Sequence, residues 1–262
     1  MAVRGWIVSM NSESISHVFL RDLKKGRVHA WVQPQVDYIS GRVSGGEMLC
    51  RWEKTPGVFV PAGHVIASLT EAGQLYELDR FMIDEACRLQ RRCADVSVSV
   101  NLSQDDLVCN DLPDDLAHMC SKYGVDPKKL HLEITEEVLA SDVCHAADVA
   151  KTLRQEGFTL EIDDFGSGFS SLRSLYSLPV DVLKLDRQFT ATVFDPRGEA
   201  VLRHVFAMAK SLDMYVIAEG VENRRLAEKL SEMGCHRMQG YYFSQAVSPE
   251  EFLRLCHSMN TR

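Results

Sequence analysis

Polar residues punctuate the short apolar runs of this chain: Asn101 in VSVSVN, Glu133 in LHLEITE, Asp163 and Asp164 in LEIDD, Lys184 in VLKLD, Glu219 in YVIAE and Gln239 in QGYYF. A strand buried on both faces is ordinarily apolar, so these residues need a reason. Taken singly, a strand-end Asn or Glu is a loop cap or a solvated residue. Taken together, the carboxylates Glu47, Glu133, Asp163, Asp164 and Glu219 would repel one another at a common mouth, and the usual relief is a bound divalent cation. Oxygen ligands without His or Cys select hard ions, Mg2+ or Mn2+, over zinc. Such a set has room for two ions sharing an aspartate, the standard device for phosphodiester hydrolysis: hydroxide is generated from water and charge on the phosphoryl oxygens is neutralised. Glu47 lies early in its run and joins the set only if its strand has a different polarity or offset.

Lys184 among these acids would orient or deprotonate the attacking water, or form a plain salt bridge. Arg51, on the same run as Glu47, offers a grip on a phosphate oxygen or a surface ion pair. The string IDDFGSGFSSL is the most specific: Gly166, Ser167 and Gly168 after paired aspartates make a loop suited to closing over a ligand, or an ordinary strand-to-helix turn. It has neither the GK[ST] ending of a phosphate loop nor the G-x-G-x-x-G spacing of a dinucleotide fold.

The scaffold that must hold these residues is legible as alternation. Strand-like runs fall at about 29–36, 46–52, 96–102, 130–135, 159–164, 181–186, 214–219 and 237–243. Helical patterns lie near 62–72, 76–93, 113–123, 142–156, 169–176, 197–212, 223–233 and 249–258, with Ser141, Asn223 and Ser248-Pro249 as starts. Eight strands alternating with helices predict an α/β fold, a modified (β/α)8 TIM-type barrel, with most of the polar residues at its C-terminal mouth. Only Asp37–Gly45 separates the first two strands, too short for a parallel crossover, so one of them is expected to be antiparallel. Residues 1–27 read as an N-terminal segment with one helix near 14–24, and 28–258 as a single domain.

The 262 residues are 45% hydrophobic and 25% charged, which excludes disordered and fibrous classes. No run approaches the roughly 20 apolar residues of a membrane helix, and the start lacks a signal-peptide pattern, so a cytoplasmic protein is expected. The net charge of −8 argues against a DNA partner. The eight cysteines show neither C-x-x-C nor zinc spacing and read as reduced thiols.

In order along the chain, Gln33-Pro34, Glu47-Met48-Leu49 with Arg51, VNLS with Asn101, EITE with Glu133 and Glu136, DDFGSGFSSL, LKLDR with Lys184 and Asp186, AEGVE with Glu219 and Glu222, and QGYYF with Gln239 resemble the EAL domains. These are phosphodiesterases of the bacterial messenger cyclic di-GMP. The resemblance runs from about residue 28 to 255. It implies a modified barrel with one antiparallel strand that opens one phosphodiester bond of cyclic di-GMP to give linear 5'-pGpG. It further implies Glu47, Asn101, Glu133 and Asp163 as ligands of one Mg2+ or Mn2+ ion, and Asp163, Asp164 and Glu219 as ligands of a second.

Lys184, assisted by Asp164, would activate the water, with Gln239 against the same network. Gln33, Leu49, Arg51 and Asp186 would contact the dinucleotide. Glu136 would anchor the DDFG loop that in this family couples homodimer formation to metal binding. Non-catalytic receptors of cyclic di-GMP in the family usually have replaced metal ligands, and this chain retains them. One departure stands out: Ser244-Gln245-Ala246-Val247 lacks the proline the family usually carries after QGYYF, which implies a looser wall and weaker substrate affinity.

Overall fold

Alternating β-branched and leucine residues make SVSVNL, LHLEIT and TLEIDDF pleated strands buried on both faces. In the computed structural model, residues 12–107, 109, 111–135, 143–166 and 178–260 are described. Among these residues nine strands follow one another: β1 (Val28–Asp37), β2 (Arg42–Thr55), β3 (Val58–Val60), β4 (Ser97–Leu102), β5 (Leu130–Thr135), β6 (Thr159–Phe165), β7 (Val182–Leu185), β8 (Tyr215–Ala218) and β9 (Arg237–Gln239). The described helices are α1 (Ser12–Lys24), α2 (Ala62–Glu71), α3 (Leu75–Gln90), α4 (Gln104–Leu107), α5 (Leu112–Tyr123), α6 (Val143–Gln155), α7 (Arg187–Ala191), α8 (Pro196–Ser211), α9 (Arg224–Glu232) and α10 (Pro249–Asn260).

Eight strands close a barrel in the order β1-β9-β8-β7-β6-β5-β4-β2, and β2 returns to β1. β1 is antiparallel to both its neighbours, as the short first connection predicts, and β2, β4 to β9 run parallel. The turn into β2 is fixed by the Asp37 carboxylate, which accepts from the amide and hydroxyl of Ser40, each at 2.7 Å. β2 starts at Arg42, earlier than the sequence pattern predicts, so Glu47 falls mid-strand beside Ser99 of β4 and joins the mouth without any change of polarity. β3, not foreseen, folds back on the far end of β2 as a hairpin. β9 ends at Gln239 rather than near 243, because the amides of Phe243 and Ser244 turn back to the carbonyl of Gly240. The expected helix near 169–176 and the start at Ser141 lie outside the described residues.

Two of the expected helix starts are present. Asn223 accepts from the Leu226 amide at 3.0 Å, and Pro249 opens α10 while the Ser248 hydroxyl accepts from Glu251. At the other end of the chain, α1 packs on the barrel. Phe19 meets Trp52 edge-on at 5.5 Å between ring centres, and the wholly buried Asp22 takes the Trp52 indole N–H at 3.1 Å. Cys50, Cys87, Cys93, Cys109, Cys120, Cys235 and Cys256 are free thiols. Burial pushes Cys50, Cys235 and Cys256 up to about 12, which leaves little reactive thiolate.

Candidate active site

Lys184 stands third in the four-residue strand β7, and its ammonium is fully buried in the barrel. Four carboxylates surround it: Glu133 Oε2 at 2.5 Å, Asp163 Oδ1 and Glu219 Oε1 at 2.9 Å, and Glu47 Oε2 at 3.3 Å. They come from β2, β5, β6 and the residue just after β8, so the barrel's closure is what brings them together. Register places Asn101 directly beside Glu133 on the adjacent strands β4 and β5, with the Asn101 side chain exposed at the rim. Glu47 is held from a second side by Gln239, whose Nε2 donates to Glu47 Oε2 at 2.5 Å. The glycine before Glu47 is a packing requirement: a Cβ on Gly46 would come within 2.6 Å of Val32 and 2.7 Å of the Phe252 ring.

Consecutive residues of a strand point to opposite faces, yet Asp163 and Asp164 serve the same mouth. The reason is a break in the ladder. The pairing of β6 with β7 shifts between Ile162 and Phe165, and Asp164 takes the left-handed conformation at φ +56°. That turn brings oxygens of Asp163, Asp164 and Glu219 within 4.8 Å of one another.

The charges are out of balance. Burial works to lower Lys184, but Asp163, Glu133, Glu219 and Glu47 outweigh it and hold the amine well above its ordinary value. Burial drives Glu133 well up, with Glu47 adding to the push and Lys184 opposing it. Burial likewise lifts Glu219 to about 8 against the pull of Lys184, and lifts Asp164 to about 6 with help from Asp163. One ammonium does not neutralise this many acids. Glu133 Oε1 and Gln239 Oε1 are buried and, among the described residues, without a hydrogen-bond partner. Hard oxygen donors, excess negative charge and open buried acceptors fit Mg2+ or Mn2+.

Gln33 is the register partner of Glu47 across β1 and β2. With Glu219, Gln239, Arg187, Glu222 and Tyr241 it lines a cavity of about 200 Å³ beside the acids. Gly220 makes room there, since a Cβ at its φ of +63° would run into the Arg187 side chain at 2.2 Å. Leu49 and Arg51 follow Glu47 at alternate positions of β2, both half-buried. The Arg51 guanidinium lies over the Trp31 ring at 5.8 Å and donates to the Cys50 carbonyl at 3.0 Å. It makes no ion pair among the described residues, so the surface salt bridge is not what holds it. Asp186 caps α7, accepting from the Gln188 amide at 2.8 Å. Glu136 lies outside the described residues. The segment that lacks the expected proline is pinned all the same: Val247 and Val32 exchange backbone hydrogen bonds at 2.8 Å each way.

Sequence reasoning missed the depth of the polar interior. Below the acids, His131 Nδ1 and Glu161 Oε1 meet at 2.5 Å, both buried, and Ser97 and Ser99 are buried on β4. The signal was available, since His131 and Glu133, and Glu161 and Asp163, recur with the two-residue period of one strand face. Glu222 stands in the AEGVE motif that carries the resemblance, whereas Arg187 and Tyr241 gave no such signal, being a helix-start and a loop residue gathered by the fold.

The signalling protein YkoW of Bacillus subtilis is 33% identical over 94% of this chain and 31% of its own length. The protein named probable cyclic di-GMP phosphodiesterase PdeB, of Escherichia coli, is 32% identical over 85% of this chain and 43% of its own. The chain thus spans about a third of the length of the first curated relatives it matches. Among solved structures, the PaMucR phosphodiesterase in complex with c-di-GMP superposes with a TM-score of 0.84 at 28% identity, covering 91% of this chain and 99% of that one. No helix among the described residues is long and apolar enough to cross a membrane. The family model described as EAL domain matches residues 17–246, and with the barrel and its acidic mouth in place, the chain belongs to the EAL domain family.

Proposed function

We propose that this domain hydrolyses one phosphodiester bond of cyclic di-GMP to linear 5'-pGpG, using two divalent ions, Mg2+ or Mn2+, and so lowers the messenger's level in the cytoplasm. The observation that carries the reading is the set of four carboxylates within 3.3 Å of a buried ammonium, beside a cavity lined by Gln33 and Gln239. The cations, when bound, would supply Lewis acidity at the phosphoryl oxygens and a water ionised at neutral pH. Glu47, Asn101, Glu133 and Asp163 would hold one of them, and Asp163, Asp164 and Glu219 the other.

Lys184 holds its acids in fixed directions and would thereby position the water that attacks phosphorus. Asp164, the most exposed of the acids, would accept that water's proton and release it to solvent, while the 3' oxygen, leaving as the P–O3' bond breaks, would take a proton from bulk water. Gln239 fixes the Glu47 carboxylate. Arg51, without a carboxylate partner among the described residues and braced on Trp31, would take phosphate oxygens with its planar fork. Gln33, Leu49 and Asp186 would contact the dinucleotide. The barrel of 28–258 would carry the chemistry and act as a homodimer, with Glu136 anchoring the DDFG loop.

A chromatographic time course tests this. Purified protein with cyclic di-GMP should give pGpG in Mg2+ or Mn2+, none in chelator, and none with Glu47→Ala. Intact cyclic di-GMP in every lane would sink the catalytic reading, and binding without turnover would mark a receptor.

A further inference from the structure

β2 is fourteen residues long, but it pairs with β4 only from Gly45 to Glu47. Past Glu47 it runs on between β1 and β3 and raises one wall of the mouth. Antiparallel partners point to the same face, and the register puts Leu49 opposite Trp31, Arg51 opposite His29 and Glu53 opposite Phe59. These residues therefore share the face that carries Glu47 and Gln33.

Arg51 is the cation in the middle of that wall, and its neighbours decide where the guanidinium goes. The guanidinium carbon lies over the Trp31 ring, 5.8 Å from the centroid, while one nitrogen donates to the Cys50 carbonyl at 3.0 Å. Trp31 in turn meets Phe59 edge to face, 5.3 Å between centroids and 64° between planes, so rings from β1 and β3 reach each other across β2. Glu53, two residues on from Arg51, would be the obvious carboxylate partner, but it is occupied elsewhere. Its Oε1 accepts from the Gly57 amide at 2.7 Å in the turn between β2 and β3, and its Oε2 faces His29 Nε2 at 3.5 Å.

A long side chain that a ligand must immobilise costs that ligand affinity. An indole face holds a guanidinium without consuming its N–H fork, which stays available to a planar acceptor. A carboxylate in the same place would consume it.

We infer that Trp31 is a positioning residue: with Phe59 behind it, it holds the Arg51 fork ready for a phosphate oxygen before the substrate arrives. The role rests on the reading of Arg51 as a phosphate contact of cyclic di-GMP, and it needs no contact between Trp31 and the nucleotide. β3 gains a purpose by it, since that short hairpin supplies Phe59 and the Gly57 amide that draws Glu53 away.

Wild type, Trp31→Leu, Arg51→Ala and the double variant form a cycle, read as KM and kcat for cyclic di-GMP in saturating Mn2+. Trp31→Leu should raise KM about fivefold and leave kcat within about twofold. In the Arg51→Ala background the same change should cost less than about twofold, because the group it positions is gone. Trp31→Phe keeps an aromatic face and should recover most of the loss.

A fivefold cost with and without Arg51 would mean that Trp31 touches the nucleotide or only props up the wall, and overturns the role. An unchanged KM in Trp31→Leu overturns it as well, as does a phenylalanine variant no better than leucine. Should Trp31→Leu fail to fold, Phe59→Leu takes its place in the cycle, with about a twofold rise in KM that vanishes without Arg51. If wild type leaves cyclic di-GMP intact, the phosphodiesterase reading falls, and the same cycle is read as dissociation constants for cyclic di-GMP in chelator. A cost that depends on Arg51 then keeps the positioning role in a receptor, and no binding by wild type overturns that too.

Discussion

The Lys184 ammonium and Glu133 Oε2 stand 2.5 Å apart across the barrel interior, and neither side chain has any exposure. Two charges removed from water in this way cost several kcal/mol each, and their attraction offsets that only when the geometry is close and further partners are present. Here the further partners are three more carboxylates, which over-compensate the lysine and leave a demand for more positive charge.

Replacing the ammonium should expose that demand. Lys184→Met leaves the acids uncompensated, and an expected loss of about 3–5 kcal/mol follows. Urea denaturation in chelator reads the loss directly. Mn2+ should restore more stability to the variant than to wild type while turnover stays abolished; equal stability of the two proteins in chelator would contradict the account.

Gln239 acts on Glu47 rather than on the ions. Gln239→Leu deletes the 2.5 Å donor to Glu47 Oε2, and the expected cost is about 10- to 100-fold in turnover or metal affinity. Stability should fall by only about 1–3 kcal/mol. A steady-state titration against Mn2+, with a urea midpoint alongside, distinguishes this from general unfolding.

The lifted carboxyls make metal loading depend on pH. Glu219 at about 8 and Asp164 at about 6 are partly protonated at neutral pH in the metal-free protein, so ions must displace protons. Both groups are raised, so the stability they contribute is complete below about 4, the unfolded carboxylate value, and lost as pH climbs through 6 and 8. Mn2+ affinity should accordingly tighten from pH 6 to 8, with net proton release seen calorimetrically in buffers of different ionisation enthalpy. Affinity independent of pH over that range would refute it.

The N-terminal helix should prove part of the fold rather than a tether. Trp52→Phe leaves Asp22 buried without its indole donor, at an expected cost of about 1–3 kcal/mol, and Phe19→Ala should cost about 3–5 kcal/mol. Thermal midpoints of the two variants, with hydrogen exchange over Ser12–Lys24, check this. Unchanged exchange in both would show the helix is held elsewhere.

Much of the site was legible because its acids interrupt apolar runs, where burial makes a charge conspicuous. The barrel was legible from period and breakers, and the antiparallel β1 from the length of a single connection. What could not be read is three-dimensional. The left-handed turn at Asp164, which gathers two consecutive aspartates to one face, has no signature in residue type. Nor does the meeting of Asp22 with Trp52, since neither residue is unusual in its own segment. Lys184 was visible as a charge in a strand, but its place at the centre of four acids depends on closure of the whole barrel.

The pairing of Gln33 with Glu47 across the β1–β2 hairpin has a bearing on genetics. Strand side chains alternate faces, so a slip of β1 by one residue against β2 would turn Gln33 away from the face that carries Glu47. The hairpin's phase is set at its tip by Asp37 and Ser40. Alleles at that tip should therefore imitate loss of the proposed Gln33 contact while Glu47 keeps its place beside Ser99, and a compensating change in the tip, rather than in the barrel mouth, is where their suppressors should map.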